Sequence, residues 1–331
     1  MIRRDRGPLS GGGGRRGVVV EAMSQRSARL DTAAVLILIL LCGIWGLQQV
    51  AAKVALRDGL PPVLQAGLRS AGATLLVWIW SMCRGVRLFE PDGSLVPGLL
   101  AALLFGLEFW ALFRGLEYTT ASRAVLFLYT APFWVALGGH LFLPGERLRG
   151  IQAVGLVCAF AGIVAAFGDG LRLPTRREAL GDLLVLAAAL LWGATTVLVK
   201  GTRLATVSPT KTLLYQLTGS AALLLMVSGL TGERAHPGGL ALASLAYQTL
   251  VVACVSYLLW FWLISRYSPT RLSAFTFLTP LSGMLAGRLL LGEPLTPALI
   301  LALALVGTGI HLVNRPAAAA APAEARSQSP R

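Results

Sequence analysis

The sequence predicts an all-α integral membrane protein with ten transmembrane helices in two inverted five-helix repeats. Three observations support this fold: the apolar composition, the spacing of the charged residues and an internal repeat. Apolar residues make up 55% of the 331 residues and charged residues only 13%, against about a quarter charged in an ordinary soluble domain. A water-soluble chain of this length could not bury so much apolar surface.

The apolar stretches have the length of membrane-spanning helices. Charged residues are clustered, and the segments between clusters run to about 20 residues, which is what an α-helix needs to cross about 30 Å of hydrocarbon. Runs such as 33–46 and 298–309 lack the alternating pattern of a membrane β-strand. Helices are therefore predicted near 33–55, 62–82, 97–117, 122–143, 150–168, 181–200, 209–229, 241–264, 269–291 and 297–314.

The two ends of the chain are predicted to be disordered and cytoplasmic. Residues 1–31 hold a four-glycine run and seven arginines, and residues 316–331 are a low-complexity tail. The loops on the N-terminal side carry nine lysines and arginines against six on the other side, which places both termini in the cytoplasm and the protein in the inner (cytoplasmic) membrane. The net charge of +14 then indicates contact with anionic lipid rather than nucleic acid.

Landmarks recur at a separation of 147–148 residues. The matched residues are Trp45-Gly46 with Trp192-Gly193, Lys53 with Lys200, Arg123 with Arg271, Pro132 with Pro280, and Glu146 with Glu293. The predicted organisation is a first repeat at 32–168, a linker at 169–180 and a second repeat at 181–315. Each repeat holds five spans, an odd number, so the second copy must be inverted, as in many secondary transporters.

These motifs resemble the EamA-type branch of the drug/metabolite transporter superfamily. The resemblance covers roughly 31–315 and is carried by the two Trp-Gly pairs, by Thr130-Ala131-Pro132 and Thr279-Pro280, and by the Gly-Glu pairs 145–146 and 292–293. It implies a secondary carrier, often an exporter, for amino acids or related metabolites. Its partners would be a small-molecule substrate and membrane lipid, with transport either ion-independent or coupled to protons. The shared motifs are architectural and do not identify the substrate.

Polar side chains inside the spans are candidates for function because they are costly in lipid. Arg69 lies in the second helix with Gln65 one turn before it, and Glu108 lies near the middle of the third helix. The pair of charges either binds a charged or zwitterionic substrate or a proton, or else forms a salt bridge that locks the two helices together. Both interpretations stay open on the sequence alone.

Aromatic and polar residues also share faces in several helices. Trp45 is followed by Gln48 and Gln49, and Trp192 by Thr195 and Thr196, so each repeat presents an aromatic-plus-polar face that could bind a substrate or pack between helices. The full set of cavity candidates is Trp45, Gln49, Gln65, Arg69, Glu108, Tyr129, Trp192, Tyr215, Gln216 and Tyr257. Pro132 and Pro280 are hinge candidates, with a static bend as the alternative.

Other functional classes receive less support. The sequence has no HExxH, GxSxG or P-loop motif, so we expect no catalytic residues, no metal and no cofactor. A channel would be expected to repeat a filter-like loop, and none is evident. A membrane receptor, a regulatory protein or a membrane-embedded enzyme is the alternative to a transporter.

Overall fold

The computed structural model describes residues 30–88, 90–168, 173–291 and 297–315. The regular secondary structure of these residues is helical, and no β-strand occurs among them. The predicted disordered segments lie outside the described residues, apart from Leu30 and Asp31. Asp31 caps the first helix by accepting a hydrogen bond from the Ala34 amide at 2.7 Å.

Ten helical spans follow one another in the described residues, close to the predicted positions. The first repeat consists of α1 (Thr32–Arg57), α2 (Pro62–Cys83), α3 (Leu95–Tyr118), α4a (Ala121–Leu128) with α4b (Ala131–Phe142), and α5 (Gly150–Phe167). The second consists of α6 (Arg176–Gly201), α7 (Pro209–Thr231), α8a (Gly239–Tyr247), a π segment (Gln248–Ser256) and α8b (Tyr257–Arg266), α9a (Pro269–Phe275) with α9b (Leu278–Leu291), and α10 (Pro297–Asn314).

The start of α6 was predicted too late. We expected it at 181, but the helix begins at Arg176 because Thr175 and Glu178 form a reciprocal capping box. The charged first turn made this part of the helix look like a loop. The predicted linker therefore overlaps the beginning of α6.

Length and composition suit a membrane environment. Eight of the described spans are long and apolar enough to cross a bilayer. α2 falls short because Gln65 and Arg69 interrupt it. Large apolar side chains cover the outer surface, for example Leu99 at 59% and Val157 at 60% exposure, as expected where lipid replaces water.

Helix packing shows that the two repeats are inverted copies. α1 packs on α8 and α9, and the equivalent helix α6 packs on α3 and α4. The pairs α2–α7, α4–α9 and α5–α10 each join a helix to its own equivalent. This pattern divides eight helices into a first group (α1, α2, α8 and α9) and a second group (α6, α7, α3 and α4). Each group takes helices from both repeats.

The repeated Trp-Gly motif is a close-packing motif. A Cβ on Gly46 would lie 2.6 Å from the backbone nitrogen of Gly283 in α9b, and a Cβ on Gly193 would lie 2.7 Å from the Cβ of Trp134 in α4b. Neither position has room for a larger residue. Small residues at helix contacts let two backbones approach, which is the main source of helix association in lipid.

Both matched prolines lie just after a break in their helix. α4 is interrupted at Tyr129 and Thr130, and α9 at Thr276 and Phe277. A proline has no backbone N–H to donate to the carbonyl oxygen four positions earlier, so it interrupts the series of helical hydrogen bonds there. The helices are therefore interrupted beside Pro132 and Pro280, at equivalent places in the two repeats.

The π segment of α8 was not predicted. It has no equivalent in α3, which is a continuous helix, and no proline or glycine within it marks the change. The indole Nε1 of Trp45 donates to Ser256 Oγ at 2.8 Å at the end of this segment. π segments often occur at functional sites.

We expect Gly46→Ala to destabilise the protein, because its Cβ would collide with backbone atoms of α9b. Overpacking of this kind costs about 1–3 kcal/mol. Gly43→Ala in the same helix is the matched control, since nothing lies within 4 Å of a Cβ there. Thermal unfolding in detergent should show a lower Tm for Gly46→Ala alone. Equal Tm values for the two variants would contradict the packing role.

Candidate functional site

A cavity of about 650 Å³ lies between the two groups of helices. This volume is within the usual range of small-molecule sites. Its lining reaches Lys53 and Leu56 at the end of α1 and Leu116 and Glu117 at the end of α3. The cavity therefore opens at the end of the bundle where α1 and α3 finish, which we call the open end.

The wall of the cavity is mostly apolar and rich in aromatic residues. Ten of its described lining residues are aromatic: Trp45, Phe105, Phe109, Phe113, Tyr129, Phe167, Trp192, Tyr257, Trp260 and Phe261. Trp45 meets Trp260 edge-on with ring centroids 5.4 Å apart, and Phe105 meets Tyr257 at 5.9 Å. An aromatic wall of this kind suits a ligand with an apolar body.

Most of the predicted cavity residues line this space. They are Trp45, Gln65, Glu108, Tyr129, Trp192, Gln216 and Tyr257, together with the hinge candidate Pro280. Pro132 is buried away from the cavity. The side chain of Gln49 lies outside the described residues.

Tyr215 was wrongly predicted to face the cavity. Its ring lies against Gly98 of α3, where an added Cβ would come within 2.5 Å of it. Its hydroxyl lies 3.3 Å from Ser94 Oγ. Tyr215 is adjacent to Gln216 in the sequence, but consecutive residues point about 100° apart on a helix, and the sequence could not show that the Tyr215 face of α7 meets α3.

Sequence reasoning missed several lining residues. Phe105, Phe109, Phe113 and Phe261 form part of the wall, and Thr279 lies beside Pro280. Phenylalanine is ordinary on any face of a membrane helix, so its position in the sequence carried no signal. The three-residue and four-residue spacing from Glu108 to Phe105 and Leu112 indicates in retrospect one shared face.

Arg69 lies just behind the cavity wall. Its side chain is fully buried, and its guanidinium carbon lies 4.3 Å from the centroid of the Phe109 ring. Glu108, 8% exposed, lines the cavity and interacts electrostatically with Arg69. The salt bridge, one of the two interpretations left open by the sequence, is not formed: in the described part of the chain no partner bonds the guanidinium nitrogens or Glu108 Oε2.

Further unpaired polar atoms surround the same place. Gln65 Nε2 and Gln216 Oε1 are buried with no hydrogen-bond partner among the described residues. An unpaired buried polar atom costs about 1–3 kcal/mol. Four polar side chains that leave hydrogen-bonding capacity unused beside one cavity indicate a place for a ligand or water.

At the opposite end, contacts between the two groups close the bundle. Lys200 Nζ of α6 donates to the carbonyl oxygen of Ile264 in α8b at 2.9 Å. Ser268 Oγ, just before α9a, donates to Glu146 Oε2, just after α4b, at 2.7 Å. These contacts join the second group to the first, and we call this the closed end.

Other polar contacts hold the second group together. At the closed end Lys211 Nζ donates to Asp92 Oδ2 at 2.7 Å, linking α7 to the start of α3. The hydrogen bond from Lys211, with those from Ser94, holds the pKa of Asp92 well below its usual range. Deprotonated Asp92 therefore supports this contact at neutral pH and loses it only in strong acid.

A buried ion pair also links two helices of the second group at the open end. Arg123 of α4a donates from Nε to both carboxylate oxygens of Asp182 in α6, at 3.1 and 3.2 Å, and Thr119 Oγ1 donates to the same carboxylate at 2.6 Å. Arg123 was counted among the six basic residues of the loops opposite the N-terminal side, although it lies at the start of the predicted span 122–143. Its burial in the second group gives it a structural role in holding α4 to α6.

Comparison with known proteins identifies a protein family that the chain matches. The profile of the EamA-like transporter family matches residues 32–168 and 179–315. The YoaV transporter of Bacillus subtilis is 26% identical over 81% of this chain and 92% of its own. An Escherichia coli protein named "Probable amino-acid metabolite efflux pump" is 30% identical over 81% of this chain and 90% of its own. A solved crystal structure that is 23% identical covers 86% of this chain and 96% of that one, with a TM-score of 0.75.

Proposed function

The chain belongs to the EamA-like transporter family and is a membrane transporter, and from this we propose that it exports small amphipathic metabolites, such as amino acids, by alternating access. The observation that carries the proposal is a central cavity that is open at one end of the bundle and closed at the other. The names of the relatives from Escherichia coli and Salmonella typhimurium, both amino-acid metabolite efflux pumps, support the substrate class.

The proposed orientation places the closed end in the cytoplasm. The lysine and arginine bias of the loops and the basic N-terminal arm support this placement in the cytoplasmic membrane. The described conformation is then open to the outside. Substrate would bind among Trp45, Gln65, Glu108, Trp192 and Tyr257, and protons are the proposed coupling ion.

The inverted repeat suggests how the closed end and the open end exchange. Ile264 lies three residues before Tyr267, the C-cap of α8b, and Leu116 lies three residues before Thr119, the C-cap of α3. Lys53 is the repeat equivalent of Lys200. By symmetry, the equivalent of the Lys200–Ile264 contact is a hydrogen bond from Lys53 to the carbonyl oxygen of Leu116.

Lys53 and Leu116 lie at the mouth of the open cavity in the described conformation. We infer that they bond when the outer end closes, at the same time as Lys200 releases Ile264. Rocking of the two groups against each other achieves both changes. The breaks before Pro132 and Pro280 are the proposed hinges.

Cysteine labelling tests the carrier. In a background lacking Cys42, Cys83, Cys158 and Cys254, an impermeant maleimide should label Thr196→Cys, which lines the cavity, from the outside only. Adding phenylalanine should shift labelling towards the cytoplasmic side. The exposed positions Thr231 (open end) and Thr206 (closed end) serve as controls that label from their own sides throughout.

Labelling of Thr196→Cys from both sides at once would mean a channel. Labelling from neither side would mean a packed membrane protein without a transport pathway. Either outcome would overturn the proposal.

Lys200→Met tests the closed end. Losing its hydrogen bond should raise cytoplasmic labelling of Thr196→Cys about tenfold, because a hydrogen bond to a charged group contributes about 1.5–3 kcal/mol and about 1.4 kcal/mol is a factor of ten in a population. Lys53→Met is the matched control: it removes the bond proposed for the inward-open state, so it should not raise cytoplasmic labelling and should favour the outward-open state. If both variants raise it equally, the contact is not a gate.

A further inference from the structure

The charged residues deep in the described cavity, Glu108 and its neighbour Arg69, both belong to the first repeat. Among the described lining residues, Lys53 and Glu117 lie at the mouth, and Glu108 is the charged residue further in. Its charged neighbour is Arg69. Since α2 starts at Pro62 and α7 at Pro209, the position equivalent to Arg69 is Gln216.

The position equivalent to Glu108 is Ser256, because the C-caps of α3 and α8b lie 148 residues apart, at Thr119 and Tyr267. The fold thus accepts neutral side chains at both positions in its other copy. The architecture alone does not require the charges of Arg69 and Glu108, so they point to a ligand.

We propose that Arg69 and Glu108, with Gln65, form a head-group subsite for a zwitterion. The substrate's ammonium group binds the Glu108 carboxylate, and its carboxylate lies towards the amide nitrogen of Gln65 and the guanidinium of Arg69 behind it. This inference rests on the proposed transport function and specifies how that site selects its substrate.

Charge balance favours a zwitterion over a simple cation or anion. Arg69 is always charged, and all three of its guanidinium nitrogens lack a hydrogen-bond partner in the described chain. An ammonium group alone would add a positive charge beside it, and a carboxylate alone would add a negative charge beside Glu108. A zwitterion adds one charge of each sign and leaves the buried site neutral, which is the least costly state in a low-dielectric interior.

The surrounding wall determines the rest of the substrate. Phe105 and Phe109 flank Glu108 on α3, and Tyr257 faces them from α8b. Such rings pack against an apolar body and are also attracted to an ammonium group over their faces. The site is therefore suited to an amino acid with a large apolar side chain.

Four probes with one phenyl body and different head groups test the subsite. They are phenylalanine, phenethylamine (a cation), 3-phenylpropanoate (an anion) and 2-phenylethanol (neutral). The cavity tryptophans Trp45, Trp192 and Trp260 report occupancy through their fluorescence in purified full-length protein. Phenylalanine should bind about tenfold more tightly than each of the others, because it alone pairs both charges.

Removing either charge should change which probe binds most tightly, and the two variants should favour probes of opposite charge. Glu108→Gln should favour 3-phenylpropanoate, since Arg69 is then uncompensated, and Arg69→Gln should favour phenethylamine. Glu90→Gln is the matched control: this carboxylate pairs with Arg87 in an exposed contact outside the cavity, and its loss should leave the order unchanged. Should Arg69→Gln fail to fold, the order of probe affinities in the wild-type protein and in Glu108→Gln still tests the subsite.

A wild-type preference for the cation or the anion would overturn the subsite. So would an equal loss of affinity for all four probes in Glu108→Gln, which would indicate a purely structural role. After either of these two results, the labelling of Thr196→Cys can still be tested with another metabolite. If it changes from the outer to the cytoplasmic side, the proposal of a carrier stands, and only the zwitterion subsite is rejected. Labelling from both sides at once would instead remove the carrier itself.

Discussion

The structure depends on two equivalent contacts between helix backbones. Gly46 of α1 lies against Gly283 of α9b, and Gly193 of α6 lies against Trp134 of α4b. In lipid, apolar side chains gain little from leaving the solvent, so close backbone approach at small residues determines which helices associate. These contacts bind the first helix of each repeat to the other repeat. They create two tight groups and leave the space between the groups to the cavity.

The polar interactions also fall into two kinds: contacts within one group of helices and contacts between the two groups. Arg123 with Asp182, and Lys211 with Asp92, hold the second group together and satisfy costly charges. Only a small set of contacts crosses between groups at the closed end, among them the bond from Lys200 to Ile264. The groups also meet where α2 packs on α7 and where α4 packs on α9. Close-packed groups that meet along such a boundary suit a bistable carrier, because packed interiors switch between arrangements rather than deform gradually.

Much of the fold follows from the sequence because lipid imposes strong rules. Span length and the paired landmarks correctly predicted ten helices in two inverted repeats. Glu108 and Gln65 were recognisable as polar residues in apolar spans. Phe105 and Tyr215 show the limit: helical periodicity gives a residue its face but does not say which helix that face meets. The π segment of α8 was hidden because no proline or glycine marks it.

The distance between the groups at each end tests alternating access most directly. Spin labels at Leu56 and Leu116 span the open end, and labels at Arg147 and Arg266 span the closed end, all at exposed positions. Pulsed electron paramagnetic resonance in lipid nanodiscs, with and without phenylalanine, should show the first distance shortening while the second lengthens. Two unchanged distances, or two that change in the same direction, would contradict a carrier in which closing one end opens the other.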